Sequence, residues 1–173
     1  MTRHAPPAAT CTVRAWKAGM LAAVGHDVEL RVARFWLEVD EAGIRGEFDA
    51  TSLEIAGAVR HDHVDGAALS SKDKADILDN VRKYVFAKHQ PAKITFRCDE
   101  VTDDGDELHG EGELGIPPFR QPLPFRVKIS HGRAVCELKL NQPAWGISPF
   151  KAALGGLRVQ PEVTVRVEIP WAR

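Results

Sequence analysis

Two histidine clusters are the residues of this chain best suited by type to chemistry. His26-Asp27, inside the stretch GMLAAVGHDVELRV (residues 19–32), sets an imidazole beside a carboxylate, the two groups that general-base catalysis couples. Neighbours on an extended chain project to opposite faces, so Asp27 is badly placed to orient His26. No Gly-x-Ser-x-Gly elbow supplies a nucleophile either. The pair reads instead as a buried or rim histidine beside a turn-stabilising aspartate. His61-Asp62-His63 separates two imidazoles by one residue, which in an extended chain puts both on one face and suits metal ligation. A zinc site needs about three or four ligands, so His89, His109 or Asp65 would have to complete it. The surrounding RHDHVDG reads equally well as a polar loop ahead of a helix. A metal-dependent enzyme using His61 and His63 is therefore carried as an alternative function, with no metal and no cofactor assigned.

The remaining chemistry-bearing residues have plainer roles. The carboxylate pairs Asp99/Glu100 and Glu111/Glu113 alternate with apolar residues, as on the solvated face of a sheet. Walker A, Gly-x-Gly-x-x-Gly and His-Glu-x-x-His patterns are absent, and GEGELG sits inside a strand pattern without opening a helix. Cys11, Cys98 and Cys136 are odd in number and widely spaced, which fits buried reduced thiols better than a disulfide or thiolate zinc framework. Lys+Arg number 23 against Asp+Glu 24, for a net charge of −1, so the basic excess of a dedicated nucleic-acid binder is missing. No run approaches the ~20 apolar residues of a membrane span, and Met20–Val24 is far too short. MTRHAPPAATCTV contains no apolar core of a secretory signal, so a cytoplasmic location is expected by default.

The elements that would position any site follow from hydrophobic patterning. Period-2 alternation runs through VELRV (Val28, Leu30, Val32), FWLEV (Phe35, Leu37, Val39) and ITFRC (Ile94, Phe96, Cys98). It recurs in FRVKI (Phe125, Val127, Ile129), CELKL (Cys136, Leu138, Leu140) and VTVRVEI (Val163, Val165, Val167, Ile169). Each such segment has one apolar and one polar face, the signature of an antiparallel sheet with one side wet. Turn signals at Asp40–Gly43, Asp103–Asp106 and His131-Gly132 join neighbours as hairpins. Closing the sheet into a barrel removes its exposed edges.

One segment breaks the pattern. Ser70–Pro91 carries Ala75, Leu78, Val81, Tyr84 and Val85 at helical spacing, with a Ser70/Asp73 capping box and Pro91 as a stop. One amphipathic helix is expected near residues 71–88, across the rim or side of the barrel. Residues 1–10 are expected as a flexible tail, and 11–173 as a single barrel domain. The stretch Asn141–Pro170 places Trp145, Ile147, Phe150 and Leu154 among prolines and a Gly155-Gly156 pair. Such a connection suits either a plug in the barrel end or a lid on a cavity.

At these residues the chain resembles the YceI-like family, lipocalin-like proteins associated with polyisoprenoid lipids. AVGHDVELRV, FDATSLEI, ILDNVRKYVFAKHQPAKITFRCDEV and WGISPFKAALGGLRVQPEVTVRVEI carry the resemblance, which spans about Thr12 to Ile169. It implies an all-β, eight-stranded antiparallel barrel with one helix, enclosing an elongated cavity for an isoprenoid chain. More segments than that alternate here, and they reduce to eight if some are bends of one strand. Many family members are exported, whereas no signal sequence is evident here. The family's Leu-Thr-x-His-Gly stretch is replaced by LGIPPFRQPLPF.

A barrel of about eight strands either fills with side chains or holds one small apolar ligand. Phe48, Phe96 and Phe125 could fill it, while Ala15, Ala50, Gly110 and Gly112 would leave space. The expected function is non-catalytic binding of an isoprenoid or other long apolar molecule. Its expected contacts are Val28, Leu30, Val32, Phe48, Ile94, Phe96, Phe125, Val127, Trp145 and Phe150. A filled barrel acting as a stress or interaction protein, or as a homodimer, is the other alternative; neither nucleic acid nor stable membrane insertion is expected.

Overall fold

A computed structural model describes residues 2–19, 25–86, 93–152 and 156–172. The strands are β1 (Thr2–His4), β2 (Thr10–Ala18), β3 (Asp27–Val32), β4 (Phe35–Asp40), β5 (Gly43–Asp49), β6 (Leu53–Arg60) and β7 (His63–Asp65). After the helix α1 (Ser71–Asn80) come β8 (Lys93–Cys98), β9 (Thr102–Asp103), β10 (Glu107–Ile116), β11 (Phe119–Ser130), β12 (Arg133–Asn141), β13 (Lys151–Ala152) and β14 (Leu157–Pro170). All belong to one antiparallel sheet, strongly curled, with the order β1-β4-β5-β8-β10-β11-β12-β14-β2-β3-β6-β7. The alternation expected from sequence is realised: Leu30 and Val32 are buried in β3, and Leu108, Leu114 and Ile116 in β10.

The strand count differs from the expected eight: among the described residues the sheet has 14 separate segments. Sharp corners account for part of the difference. Ala33-Arg34 separates β3 from β4, and a 3-10 turn at Ala50–Ser52 separates β5 from β6. Backbone pairing continues through this corner: the Ala33 N–H donates to the Ser52 carbonyl at 3.1 Å, and the Asp49 N–H to the Arg34 carbonyl at 3.0 Å. Ser52 Oγ accepts from the Arg34 N–H at 2.9 Å and donates to the Asp49 carbonyl at 2.7 Å. A buried hydroxyl thus supplies the partners that a bend takes from the ladder.

The N-terminal residues also depart from expectation. Rather than a free tail, Thr2–His4 pair with Val39–Leu37 of β4. Ala9, only 1% exposed, joins the core beside Cys11. The cause is an unpaired edge on β4, which the first residues cover.

The capping box forms: Ser70 Oγ accepts from the Asp73 N–H at 3.1 Å, and Asp73 Oδ2 accepts from the Ser70 N–H at 2.9 Å. The α-helix is shorter than the expected 71–88, running Ser71–Asn80 and loosening into a π-helical turn at Val81–Val85. Pro91, expected as its stop, lies outside the described residues. Ile77, Leu78 and Val81 pack against Leu30, Ile55, Ala58 and Leu69. Among the described residues no helix is long and apolar enough to cross a membrane.

Gly110 and Gly112 do not leave empty space as expected. Gly110 lies opposite Phe125 in the ladder, and a Cβ on it would stand 3.3 Å from the Phe125 ring. A Cβ on Gly112 would press directly into the Phe96 ring. The two rings meet edge-to-face at 5.6 Å and fill the groove that the glycines open. Gly112→Ala should therefore destabilise the fold by about 1–3 kcal/mol through overpacking. Urea unfolding should show a lower midpoint at unchanged slope.

Candidate functional site

The inner face of the sheet is not filled by its own side chains. No large side chain among the described residues is less than 2% exposed. Phe48, Phe96, Val127 and Val165 pack at the core yet keep partial exposure, as walls of a hollow do. The hollow has two adjoining parts. The inner, about 200 Å³, is walled by apolar side chains from Cys11, Leu37 and Ile44 round to Ala134 and Ile169. The outer, about 670 Å³, lies under α1 and the turn that follows it. Seven residues wall both parts, Ile116 of the Trp145 cluster and Val13, Val32, Phe48, Ile94, Leu140 and Val165. The outer volume alone falls within the ~300–1,000 Å³ of ligand pockets. A wall this apolar offers water few of the polar partners it needs.

Most residues singled out from sequence meet at this hollow. Val28 and Leu30 wall the outer part, Val32, Phe48 and Ile94 both parts, and Phe96, Phe125 and Val127 the inner part. Phe150 stands at the mouth, its ring 5.6 Å from that of Tyr84 on the helical side. Trp145 is the exception and lines neither part. It is buried in a 3-10 turn at Gln142–Trp145, where its Nε1–H donates to the Leu114 carbonyl at 3.1 Å. There it packs with Leu114, Ile116 and Leu123 as a plug. The final loop thus divides its aromatics: Trp145 seals one side, while Ile147 and Phe150 face the hollow, and Leu154 lies outside the described residues.

Several wall residues were missed from sequence. Val163 and Val165 carry the period-2 signal of β14, and that phase alone could have assigned them to the interior. Ile77, Val81 and Val85 form a stripe spaced by four on the helical segment, which marks the face turned to the hollow. The polar rim has no such local signature. It includes Lys17, His26, Asp73, Asp76, Asn80 and Arg158, drawn from distant parts of the chain. The buried Gln142 also lines the outer part, its Nε2 donating to the Gln160 carbonyl at 3.0 Å.

The histidines are placed differently from a catalytic or metal site. Asp27 turns away from His26, its Oδ1 accepting from the Lys17 N–H at 2.8 Å. His26 instead stands on the rim with Asp73. His61 and Asp62 have φ of 48° and 66°, as in the primed turns that link hairpin strands. The chain reverses between β6 and β7 there, so the extended geometry that would put His61 and His63 on one face is not formed. His109 Nδ1 is 3.3 Å from Asp104, and His89 lies outside the described residues. Among the described residues, no three His, Cys, Asp or Glu side chains come together in a metal-holding group.

Titration follows the same geometry. Burial pushes the Cys11 thiol up to about 12 and the Cys136 thiol up to about 11. Both line the inner hollow, so the nucleophilic thiolate is scarce. Native protein at pH 8 should leave both thiols unalkylated by iodoacetamide, with full labelling after denaturation, as mass spectrometry would show.

Hydrogen bonds from the Ser70 hydroxyl and then its backbone N–H hold the Asp73 carboxyl below the usual carboxylate range, with a smaller contribution from His26. A lowered carboxylate pKa stabilises above the unfolded value, about 4, and that stability is lost as pH falls through the folded value. Amide exchange in α1 should accelerate selectively below that pH, and Ser70→Ala should reproduce the acceleration at neutral pH.

No family model matches the chain, and no curated protein matches it by sequence. Solved structures do match, five chains in all. One is the crystal structure of Burkholderia cenocepacia BcnA, with a TM-score of 0.61 and 14% identity over 92% of this chain and 94% of that one. At that identity the likeness establishes a lipocalin-like fold.

Proposed function

We propose that this lipocalin-like chain is a non-catalytic binding protein that holds an isoprenoid or other long apolar molecule in its interior. The observation that carries the reading is the apolar hollow itself, a smaller inner part of about 200 Å³ adjoining a larger one of about 670 Å³. A long molecule can occupy both parts at once, along the walls they share. Each methylene transferred from water to such walls contributes about 0.8 kcal/mol. Kinship with YceI-like proteins is part of the same proposal, and the lipocalin-like fold shared with BcnA is in keeping with it.

The proposal includes an eight-stranded barrel. Taking β3 with β4 and β5 with β6 as two bent strands gives a ring with β8, β10, β11, β12, β14 and β2. Pairing of β2 with β3 on one side, and of β5 with β8 on the other, supports this closure. Trp145 then belongs to the plug, and Val28, Leu30, Val32, Phe48, Ile94, Phe96, Phe125, Val127 and Phe150 to the ligand's walls.

Native mass spectrometry after mild purification should show a hydrophobic adduct that organic extraction removes. Val165 stands where the two parts of the hollow adjoin. Val165→Trp should weaken a long prenyl or fatty-acid probe by at least about tenfold, the loss of roughly two buried methylenes. A short probe held in the larger outer part should lose less, since Val165 is only one of its many walls. Equal affinity of variant and parent for the long probe would refute the interior as the site.

A further inference from the structure

The mouth carries a feature that ligand binding alone does not require. Tyr84 is 57% exposed, and Val64 is the other large exposed hydrophobic among the described residues. The Tyr84 ring leans on Phe150 at the opening. Lys83 precedes it on the same turn, and Lys151 follows Phe150. Lys151 pairs in register with Arg158, which in turn lies beside Ala18 of β2. Lys17 and Arg158 reach the opening itself. An exposed aromatic is thus framed by cations from three separate parts of the chain.

These cations are not neutralised as others on the surface are. On the outer face of the sheet Arg133 pairs with Glu168 at 2.8 Å, Arg34 with Asp49 at 2.8 Å and Lys139 with Glu162 at 3.0 Å. Among the described residues, no carboxylate stands in ion-pair range of Lys83, Lys151 or Arg158. The stretches 20–24, 87–92 and 153–155 contain no Asp or Glu. The acidic rim residues, Asp73 and Asp76, lie on α1. Asp79 near the end of α1 is taken up by Arg82 at 3.6 Å, which leaves Lys83 beside Tyr84 without a carboxylate partner among the described residues.

We infer that the Tyr84–Phe150 side of the mouth docks on an anionic lipid bilayer, with Lys83, Lys151 and Arg158 at headgroup depth and Lys17 held behind them by its bond to the Gly25 carbonyl. The inference rests on the reading of the interior as an apolar ligand site and adds where that ligand is exchanged. Tyrosine is favoured at the membrane interface, where its ring meets acyl chains and its hydroxyl meets water. Basic side chains are drawn to anionic headgroups over about a Debye length. A long apolar molecule has little solubility in water, so a mouth pressed to the bilayer removes an aqueous step from its transfer.

The test is co-sedimentation of the full chain with vesicles of phosphatidylcholine alone or mixed with phosphatidylglycerol. Binding should require phosphatidylglycerol and should fall away near ~1 M salt, where the screening length is about 3 Å. The double variant Lys83→Glu/Lys151→Glu should bind at least about tenfold more weakly, since each cation near an anionic surface contributes severalfold. Tyr84→Ser should also weaken binding, whereas Lys128→Glu on β11 should not. Each variant is assayed in parallel for an apolar fluorescent probe without vesicles. Vesicle binding lost with probe binding kept supports the docking surface. Equal sedimentation with neutral and anionic vesicles, an unaffected double variant, or binding to polyglutamate but not vesicles overturns it. Failure of the parent protein to take up the probe counts instead against the cavity reading.

Discussion

An apolar inner face that encloses more volume than its own side chains fill is the constraint on which this structure depends. Backbone N–H and C=O groups cannot be left unpaired against such an interior, because each would forfeit a hydrogen bond to water without replacement. The strands therefore have to satisfy one another along the whole curled sheet. The long pairings β10–β11, β12–β14 and β14–β2 do this across the wall. Where the chain bends too sharply for a ladder, Ser52 and the carbonyls of Asp49 and Arg34 complete the set.

Curvature also governs packing. A curling sheet brings inward side chains together, so bulk must be balanced by absence of bulk on a facing strand. Phe96 and Phe125 supply the bulk, and Gly112 and Gly110 the absence. The Trp145 turn closes the space beside β10, and the Tyr84–Phe150 contact stands at the opening. What remains between these two aromatic groups is a hollow lined mainly by apolar residues, with its charged side chains at the rim. The same partition gives an apolar molecule a place to lie and its polar end a rim to meet.

Much of this was legible because alternation is a local property. The faces of Val28, Leu30 and Val32, or of Phe125 and Val127, follow from strand geometry whatever the neighbours are. The Ser70/Asp73 capping box was legible for the same reason, as both partners lie within one turn. Non-local and backbone-dependent features were not legible. The corner joining Ala33-Arg34 to Ala50–Ser52 depends on two segments meeting. The filling of the glycine groove depends on the register that sets Phe125 opposite Gly110. His61 and His63 looked like a ligand pair only on the assumption of an extended backbone, which the positive φ at His61 and Asp62 removes. Trp145 lacked an alternating context, so its side of the wall was undetermined by pattern. The rim cations come together through the β13–β14 and β14–β2 registers, which no single stretch of sequence encodes.

The central claim is that apolar length, and not a specific polar contact, determines what the interior accepts. Titration calorimetry with a series of prenyl alcohols of increasing length tests it most directly. The account predicts affinity that climbs with each added isoprene unit until the hollow is full, with a negative heat-capacity change that grows in step. Affinity that is absent throughout the series, or that does not vary with chain length, would contradict it.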